Sequence, residues 1–334
     1  MGYFLFHGGS ADHTGEDRVR GICQLLPEPP EIFSAAPEED WRYGLAEIGP
    51  LSRARPGILH CRILRGDWYL TAQLRSTAEL RRGVRQVLWG WEPPGPLSSG
   101  QARELRKYYR IIVTDPRSQV LLRQAGVTHN VQLGPDPSFL VRRNLRPLDN
   151  RFRQDTVALC VSPSIGPFER TPGLLFHSYC HLIRWILRNT SWQIALVPYC
   201  AKGSISDLPL HTALKQEFAQ EDRVFCREDG DCRVLRGDLS LCRCCIGTAG
   251  VIAGWSCGVP GLCLGASSRV QGLSQTLLGT RQDGVIRVSS LRTVEDLTHQ
   301  FRTFLDREDA MRRWLEISVP RYRHWATQWR WMEG

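Results

Sequence analysis

Residues 244–279 read CCIGTAGVIAGWSCGVPGLCLGASSRVQGLSQTLLG, and this stretch decides the fold. Its two short apolar runs, residues 244–247 and 259–265, are typical of buried parallel strands. Between them the sequence predicts a helix from about Ala249 to Cys257. The turn at Gly247 and Thr248 then presents free backbone N–H groups, to which an anion can bind.

Residues 244–268 carry no charge, which raises the alternative of a membrane-spanning helix. Glycine recurs throughout this segment and weakens a helix, and Pro260 breaks it near the middle. Two strands joined by a helix therefore explain the segment better than a membrane span.

The composition indicates a globular protein that meets an anionic partner. At 334 residues the chain is long for a single core, so two domains are expected. The net charge of +9 comes mostly from scattered arginines. Charge alone does not choose among a phosphorylated metabolite, an acidic polysaccharide, an anionic lipid and nucleic acid. No recognised nucleic-acid motif accompanies it, so no nucleic-acid partner is expected.

The 12 cysteines fall mainly in apolar runs. They are expected to be reduced, buried thiols of a cytoplasmic protein, since the apolar run at the N-terminus is too short for a secretory signal. Cys242, Cys244 and Cys245 lack the paired spacing of a zinc site. Core packing is their default interpretation, and no metal site is predicted.

Strands and helices alternate in both halves of the chain, which predicts an α/β fold. The expected architecture is two doubly wound Rossmann-like domains facing each other across a cleft, as in glycosyltransferase B folds. The predicted domains are 1–144 and 156–306, with a linker at 145–155 and a C-terminal helix at 307–334. The predicted strands are 3–6, 31–34, 58–64, 84–89, 110–113, 130–133, 156–161, 193–197, 223–226 and 285–288, besides the two in the opening stretch.

The C-terminal helix carries Trp314, Tyr322, Trp325 and Trp329 near helical spacing, with an interruption expected at Pro320. One interpretation is a helix that folds back across the domain junction and buries these rings. The other is peripheral association of a basic aromatic tail with an anionic membrane.

The order of several motifs resembles the polysaccharide pyruvyl transferase family almost end to end. The opening HGGSADHTGED, residues 7–17, is similar to the family's H-G-G-S-x-N-H-G-C-E-A. The phrases at 37–45, 65–69, 87–90, 136–139 and 161–163 follow in family order, and the residues from Ile252 to Pro260 match the end of a later motif.

This resemblance implies a bacterial, cytoplasmic transferase of exopolysaccharide biosynthesis. It would move pyruvate from phosphoenolpyruvate, used as a co-substrate without other cofactors, onto a nucleotide- or lipid-linked sugar as a ketal. The family's Arg-x-His pair falls on Gly247 and Ala249 here, and the histidine of its later P-H falls on Tyr199. Of two cations in a following turn only Arg269 is kept, because the other is Gln271.

Ketal formation needs a proton donor, a base and groups that bind the carboxylate and phosphate. The catalytic candidates are His7, His13, Glu16 and Asp67. His7 could instead bond to its own turn, and the other three could serve as helix caps or lie in solvent. The substrate-binding candidates are Gly8, Gly9, Ser10, Gly66, Tyr69, Ser162, Ser164, Tyr199, Thr248 and Arg269, although Ser162 and Ser164 also suit an ordinary turn.

Two further hypotheses stay open at this point. A homologue without the Arg-x-His pair could be a non-catalytic sugar-phosphate binding or scaffolding protein. The same two-domain architecture also serves nucleotide-sugar glycosyltransferases.

Overall fold

The structure is a computed structural model. It describes residues 3–7, 17, 20–25, 31–34, 48–49, 59–63, 86–90, 92–93, 96–143, 149–162, 172–199, 206–227, 232–265, 267–279 and 284–329.

The first half of the chain forms a seven-stranded sheet among these residues, in the order β3-β2-β1-β4-β5-β6-β7. Every pairing in it is parallel. Its strands are β1 (Tyr3–His7), β2 (Glu31–Ser34), β3 (Ile48–Gly49), β4 (Leu59–Ile63), β5 (Gln86–Trp89), β6 (Arg110–Val113) and β7 (Val131–Leu133).

The second half forms a six-stranded sheet within the described residues, also parallel, in the order β10-β9-β8-β11-β12-β13. Its three central strands are buried along their whole length, which explains why they read as unbroken apolar runs. The strands are β8 (Thr156–Cys160), β9 (Gln193–Leu196), β10 (Val224–Cys226), β11 (Cys244–Gly247), β12 (Gly261–Leu264) and β13 (Val285–Ile286).

Helices connect the strands, and their first turns carry recognisable start signals. Ser98 and Gln101 form a capping box, and Asp115 caps the helix that begins at Pro116. The helices are α1 (Ser99–Leu105), α2 (Pro116–Gln124), α3 (Pro172–Asn189), α4 (Leu208–Glu217), α5 (Cys232–Leu239), α6 (Ala249–Ser256), α7 (Ser268–Leu278), α8 (Asp296–Leu305) and α9 (Glu308–Gln328). An N-terminal helical segment includes Asp17 and residues 20–23, and a 3-10 helix spans Pro137–Leu140.

The last helix returns to the first half of the chain. Tyr322 is buried and its hydroxyl accepts a hydrogen bond of 2.7 Å from the Asp136 backbone N–H. The Trp329 ring lies 5.3 Å from that of Trp89. α9 therefore covers the junction of the two halves with part of its aromatic set.

The interruption expected at Pro320 is wrong, because α9 is one helix through that residue. Pro320 is exposed, so the backbone carbonyl that loses its partner there can be hydrated. Trp314 and Trp325 are exposed as well, and membrane association through them stays a prediction. No described helix is long and apolar enough to cross a membrane.

The α/β fold with two doubly wound parallel sheets is confirmed. The strand order of the second sheet changes direction between β8 and β11, where a doubly wound sheet has its ligand crevice. The short strand β3 and the helix α5 were not predicted. The domain and linker boundaries stay predictions.

Candidate functional site

Several loops of the second sheet meet at one edge, because all of its strands run parallel. Ser162 follows β8, Tyr199 follows β9, Thr248 follows β11 and Ser267 follows β12. Ligands of open α/β sheets bind at this edge.

The turn between β11 and α6, residues Gly247–Gly250, is called the open turn below. Gly247 has φ +138°, and a Cβ there would lie 2.0 Å from the Cys160 carbonyl oxygen. A Cβ at Gly250 would lie 2.6 Å from the Cys160 Sγ. Glycine at these two positions therefore lets α6 start directly against the end of β8.

Thr248 leaves the first turn of α6 without a side-chain cap. Its backbone N–H donates to the Cys160 carbonyl oxygen at 2.9 Å, and its hydroxyl donates to the same oxygen at 3.3 Å. The side chain is partly exposed. The open turn thus combines a hydroxyl with helix N–H groups that have no intrahelical acceptor, which is a favourable arrangement for a phosphate oxygen.

The start of α7, described at Gly265 and at Ser267–Arg269, is called the closed turn because the protein's own side chains contact it. Ser267 Oγ accepts from the Val270 N–H at 3.2 Å, and Glu92 Oε1 accepts from the Arg269 N–H at 3.1 Å. The Arg269 guanidinium pairs with Asp136 and donates to Ser138 Oγ at 3.3 Å. Burial lowers the pKa of Arg269, but the Asp136 carboxylate outweighs burial and the pKa stands above its ordinary value.

A second buried pair joins the N-terminal helical segment to α5. Both oxygens of the Asp17 carboxylate accept from the Arg236 guanidinium, at 3.1 and 2.6 Å. Tyr199 donates its hydroxyl to the same carboxylate, and Arg236 also donates to Ser256 Oγ. Burial lowers the pKa of Arg236, while Asp17 more than reverses that effect. This cluster fastens the back of α6 to the first half.

His211 supports the floor of the open turn. Its Nε2–H donates to the Val161 carbonyl oxygen at 2.9 Å, since a carbonyl can only accept. Burial lowers the pKa of His211 to about 4, so the ring is neutral at physiological pH. Val161 directly follows Cys160, the residue against which the open turn packs.

The structure brings together part of the sequence-predicted site. Thr248 and Ser162 lie at the sheet edge and are partly exposed. Tyr199 is buried in the Asp17 cluster, and Arg269 is buried against Asp136. Gln271, where the resemblance implied a second cation, accepts from Arg117 Nη1 at 2.8 Å and so contributes to the contact between α7 and α2.

Of the remaining candidates, the structure describes His7 alone. His7 is the last residue of β1, at the carboxyl end of that strand. The others lie outside the described residues: Gly8, Gly9, Ser10, His13, Glu16, Gly66, Asp67, Tyr69 and Ser164.

Sequence reasoning missed three groups that the structure places near this edge: Arg236, His211 and the carboxylate partner of Arg269. His211 lies three residues after Leu208 in an apparently ordinary helix, and no local pattern marks it. The sequence offers one weak indication of the Arg236 cluster: two charged residues, Arg236 and Asp238, stand close together in α5. The structure shows that both are buried.

No family model matches the chain, and no curated protein matches it. Solved structures do match. An S. aureus MnaA–UDP complex is 12% identical, with a TM-score of 0.66 over 98% of this chain and 94% of that one. A UDP-GlcNAc 2-epimerase from Methanocaldococcus jannaschii in complex with UDP-GlcNAc and UDP is 11% identical, with a TM-score of 0.61 over 91% and 93%. Anabaena Alr3699/HepE in complex with UDP-glucose is 12% identical, with a TM-score of 0.60 over 97% and 95%.

These matches confirm the glycosyltransferase B-like fold and overturn the pyruvyl transferase assignment. The resemblance to that family is wrong, because the neighbours include UDP-GlcNAc 2-epimerases and none of the comparisons supports pyruvyl transfer. The comparisons therefore also give no support for phosphoenolpyruvate as a co-substrate or for pyruvylation of a polysaccharide. The shared motifs were short, and several contain glycine or proline, which the turns of any doubly wound fold also need.

Proposed function

We propose that this protein binds a UDP-sugar between its two sheets and acts on the sugar. The diphosphate binds at the open turn, and the sugar points towards the carboxyl ends of the first sheet's strands. The observation that carries the proposal is the open turn itself, where Thr248 and the uncapped start of α6 face the ligand edge of the second sheet. Complexes of the same fold with UDP, UDP-GlcNAc and UDP-glucose support this ligand class.

The charge balance of the site agrees with a diphosphate held mainly by dipoles and hydroxyls. Arg269 and Arg236 are each neutralised by a buried carboxylate. The ligand's charge would therefore be met by the N–H groups of α6, by the Thr248 hydroxyl once its one proton turns from the Cys160 carbonyl oxygen to the ligand, and by the overall positive surface of the chain.

Isothermal titration calorimetry with UDP, UDP-GlcNAc and UDP-glucose tests the proposal. Thr248→Val keeps the shape of the side chain but removes a hydrogen bond to a charged group, and we expect it to weaken binding about tenfold. Thr303→Val is the matched control, because Thr303 also donates its hydroxyl to a backbone carbonyl, that of His299, at 3.2 Å. Absence of binding for all three ligands, or equal losses in the two variants, would contradict the proposal.

The reaction is proposed to be epimerisation of the bound sugar, with glycosyl transfer as the second candidate. Epimerisation needs no acceptor and leaves the nucleotide sugar as its product, whereas transfer needs an acceptor and releases UDP. Incubation with UDP-GlcNAc alone, followed by NMR of the sugar, separates them. A new C2 epimer supports the first, and UDP release that depends on an added acceptor supports the second. The cytoplasmic location stays a prediction.

A further inference from the structure

A basic pocket that shares no residue with the open turn lies at the segments that pass between the two halves. An open pocket of about 350 Å³ is lined by Gln24, Phe139, Leu140, Val141, Arg142, Arg143, Arg323 and Thr327. It is called the arginine pocket. Residues 139–143 leave the first half, and Arg323 and Thr327 belong to α9, which returns to it.

The arginine pocket has an excess of positive charge. Among the described residues neither Arg142 nor Arg143 pairs with a carboxylate, and both are exposed. Within the described residues, Arg323 donates to two backbone carbonyl oxygens, that of Phe139 at 3.0 Å and that of Ser256 at 2.7 Å. Three guanidinium groups therefore line one pocket, and none of its described lining residues carries a carboxylate.

The pKa of Arg323 reflects the positive charges around it. Its pKa is lowered, mainly by burial; Cys257 acts in the opposite direction, and the positive charges of Arg236 and Arg143 lower the pKa further. The neighbouring guanidinium of Arg236 is already balanced by Asp17, so the excess lies on the pocket side.

We propose that the arginine pocket binds a phosphorylated small molecule. Guanidinium groups recognise phosphate through paired N–H donors, and three of them can surround one phosphate or diphosphate. The apolar side chains of Phe139, Leu140 and Val141 offer a surface for the carbon part of such a ligand, and the volume falls at the small end of ligand pockets. Since Arg323 already links Phe139 of the first half to Ser256 of the second, a ligand here stabilises the contact between the halves.

The test uses the full chain and equilibrium dialysis with labelled pyrophosphate at constant ionic strength. Arg142→Gln/Arg143→Gln removes two exposed donors, and we expect it to abolish one binding site or to weaken that site about tenfold or more. Thr248→Val leaves this site unchanged, which separates it from the proposed UDP-sugar site. Arg123→Gln is the matched control, because Arg123 is an exposed arginine of α2.

Melting temperatures provide the second readout. Pyrophosphate is expected to raise the melting temperature of the wild type and of Arg123→Gln by the same amount, and that of the double variant by less, because only the open turn then binds it. Equal pyrophosphate binding by the double variant and the wild type overturns the proposal. Citrate that binds to the same site as tightly as pyrophosphate overturns the assignment to phosphate.

Discussion

The open turn and the closed turn both follow a buried strand of the second sheet, and both start a helix at the same edge. In the closed turn Ser267 caps α7, Glu92 accepts from its first turn and Asp136 neutralises Arg269. In the open turn Thr248 provides no cap to α6. The two turns therefore differ in one respect: side chains of both halves occupy the start of α7, whereas no side chain caps the start of α6.

The largest expected effect is on the closed turn. Asp136→Asn keeps the shape and the acceptor that Ser138 uses, but it leaves the buried Arg269 guanidinium without a counter-charge. Breaking a buried pair in this way costs about 3–5 kcal/mol, and we expect the free energy of unfolding in urea to fall by that amount.

Asp136→Asn/Arg269→Met is the control for that variant, since it removes both charges. It should recover part of the lost stability, because no uncompensated charge is then buried. If Asp136→Asn has the same urea midpoint of unfolding as the wild type, the Asp136–Arg269 pair is hydrated and does not stabilise the contact between the halves.

The second effect is a dependence of stability on pH through His211, below the open turn. Its pKa is lowered to about 4 in the folded protein by burial, and in the unfolded chain it takes the ordinary value of 6.5. Between these values the unfolded chain binds a proton that the folded protein excludes. His211 therefore contributes its full stability above pH 6.5 and loses it as the pH falls towards 4, by on the order of 3 kcal/mol.

Urea unfolding of the wild type and of His211→Gln between pH 8 and pH 4.5 checks this. Glutamine can still donate to the Val161 carbonyl but does not titrate. The difference in stability between the two proteins should therefore shrink as the pH falls. A difference that is constant over this range would show that His211 does not become protonated on unfolding.

The contrast between the turns also shows what sequence could and could not predict. The strand, glycine turn and helix at residues 244–256 were predicted because their signals are local: buried apolar runs and glycines where the backbone passes close to β8. The partner of Arg269 was not, because Asp136 lies 133 residues away and only the packed halves bring them together. The sequence predicted that Arg269, beside glycines at a strand end, binds a ligand. In the structure it forms a buried ion pair with Asp136.

The helix α5 was hidden for a related reason. It carries Arg236, Gly237 and Asp238 in succession, so its hydrophobic period is broken, yet all three residues are buried. Their burial depends on Asp17 and Arg227, which meet them only in the folded chain. Local propensity cannot predict a helix whose buried face is made of paired charges.

The smallest expected effect comes from the same substitution, to alanine, at the N-cap position of each helix: Ser267 before α7 and Thr248 before α6. Ser267→Ala removes the cap of α7 and should lower the free energy of unfolding by about 1 kcal/mol without changing UDP-sugar affinity. Thr248→Ala removes only a 3.3 Å hydrogen bond to Cys160 and should change stability less, but it should weaken UDP-sugar binding. Thermal melting should therefore show the larger loss of stability for Ser267→Ala, and calorimetry the larger loss of UDP-sugar affinity for Thr248→Ala. If both variants lose stability and neither loses affinity, the first turn of α6 is structural like that of α7, and the ligand binds elsewhere along the sheet edge.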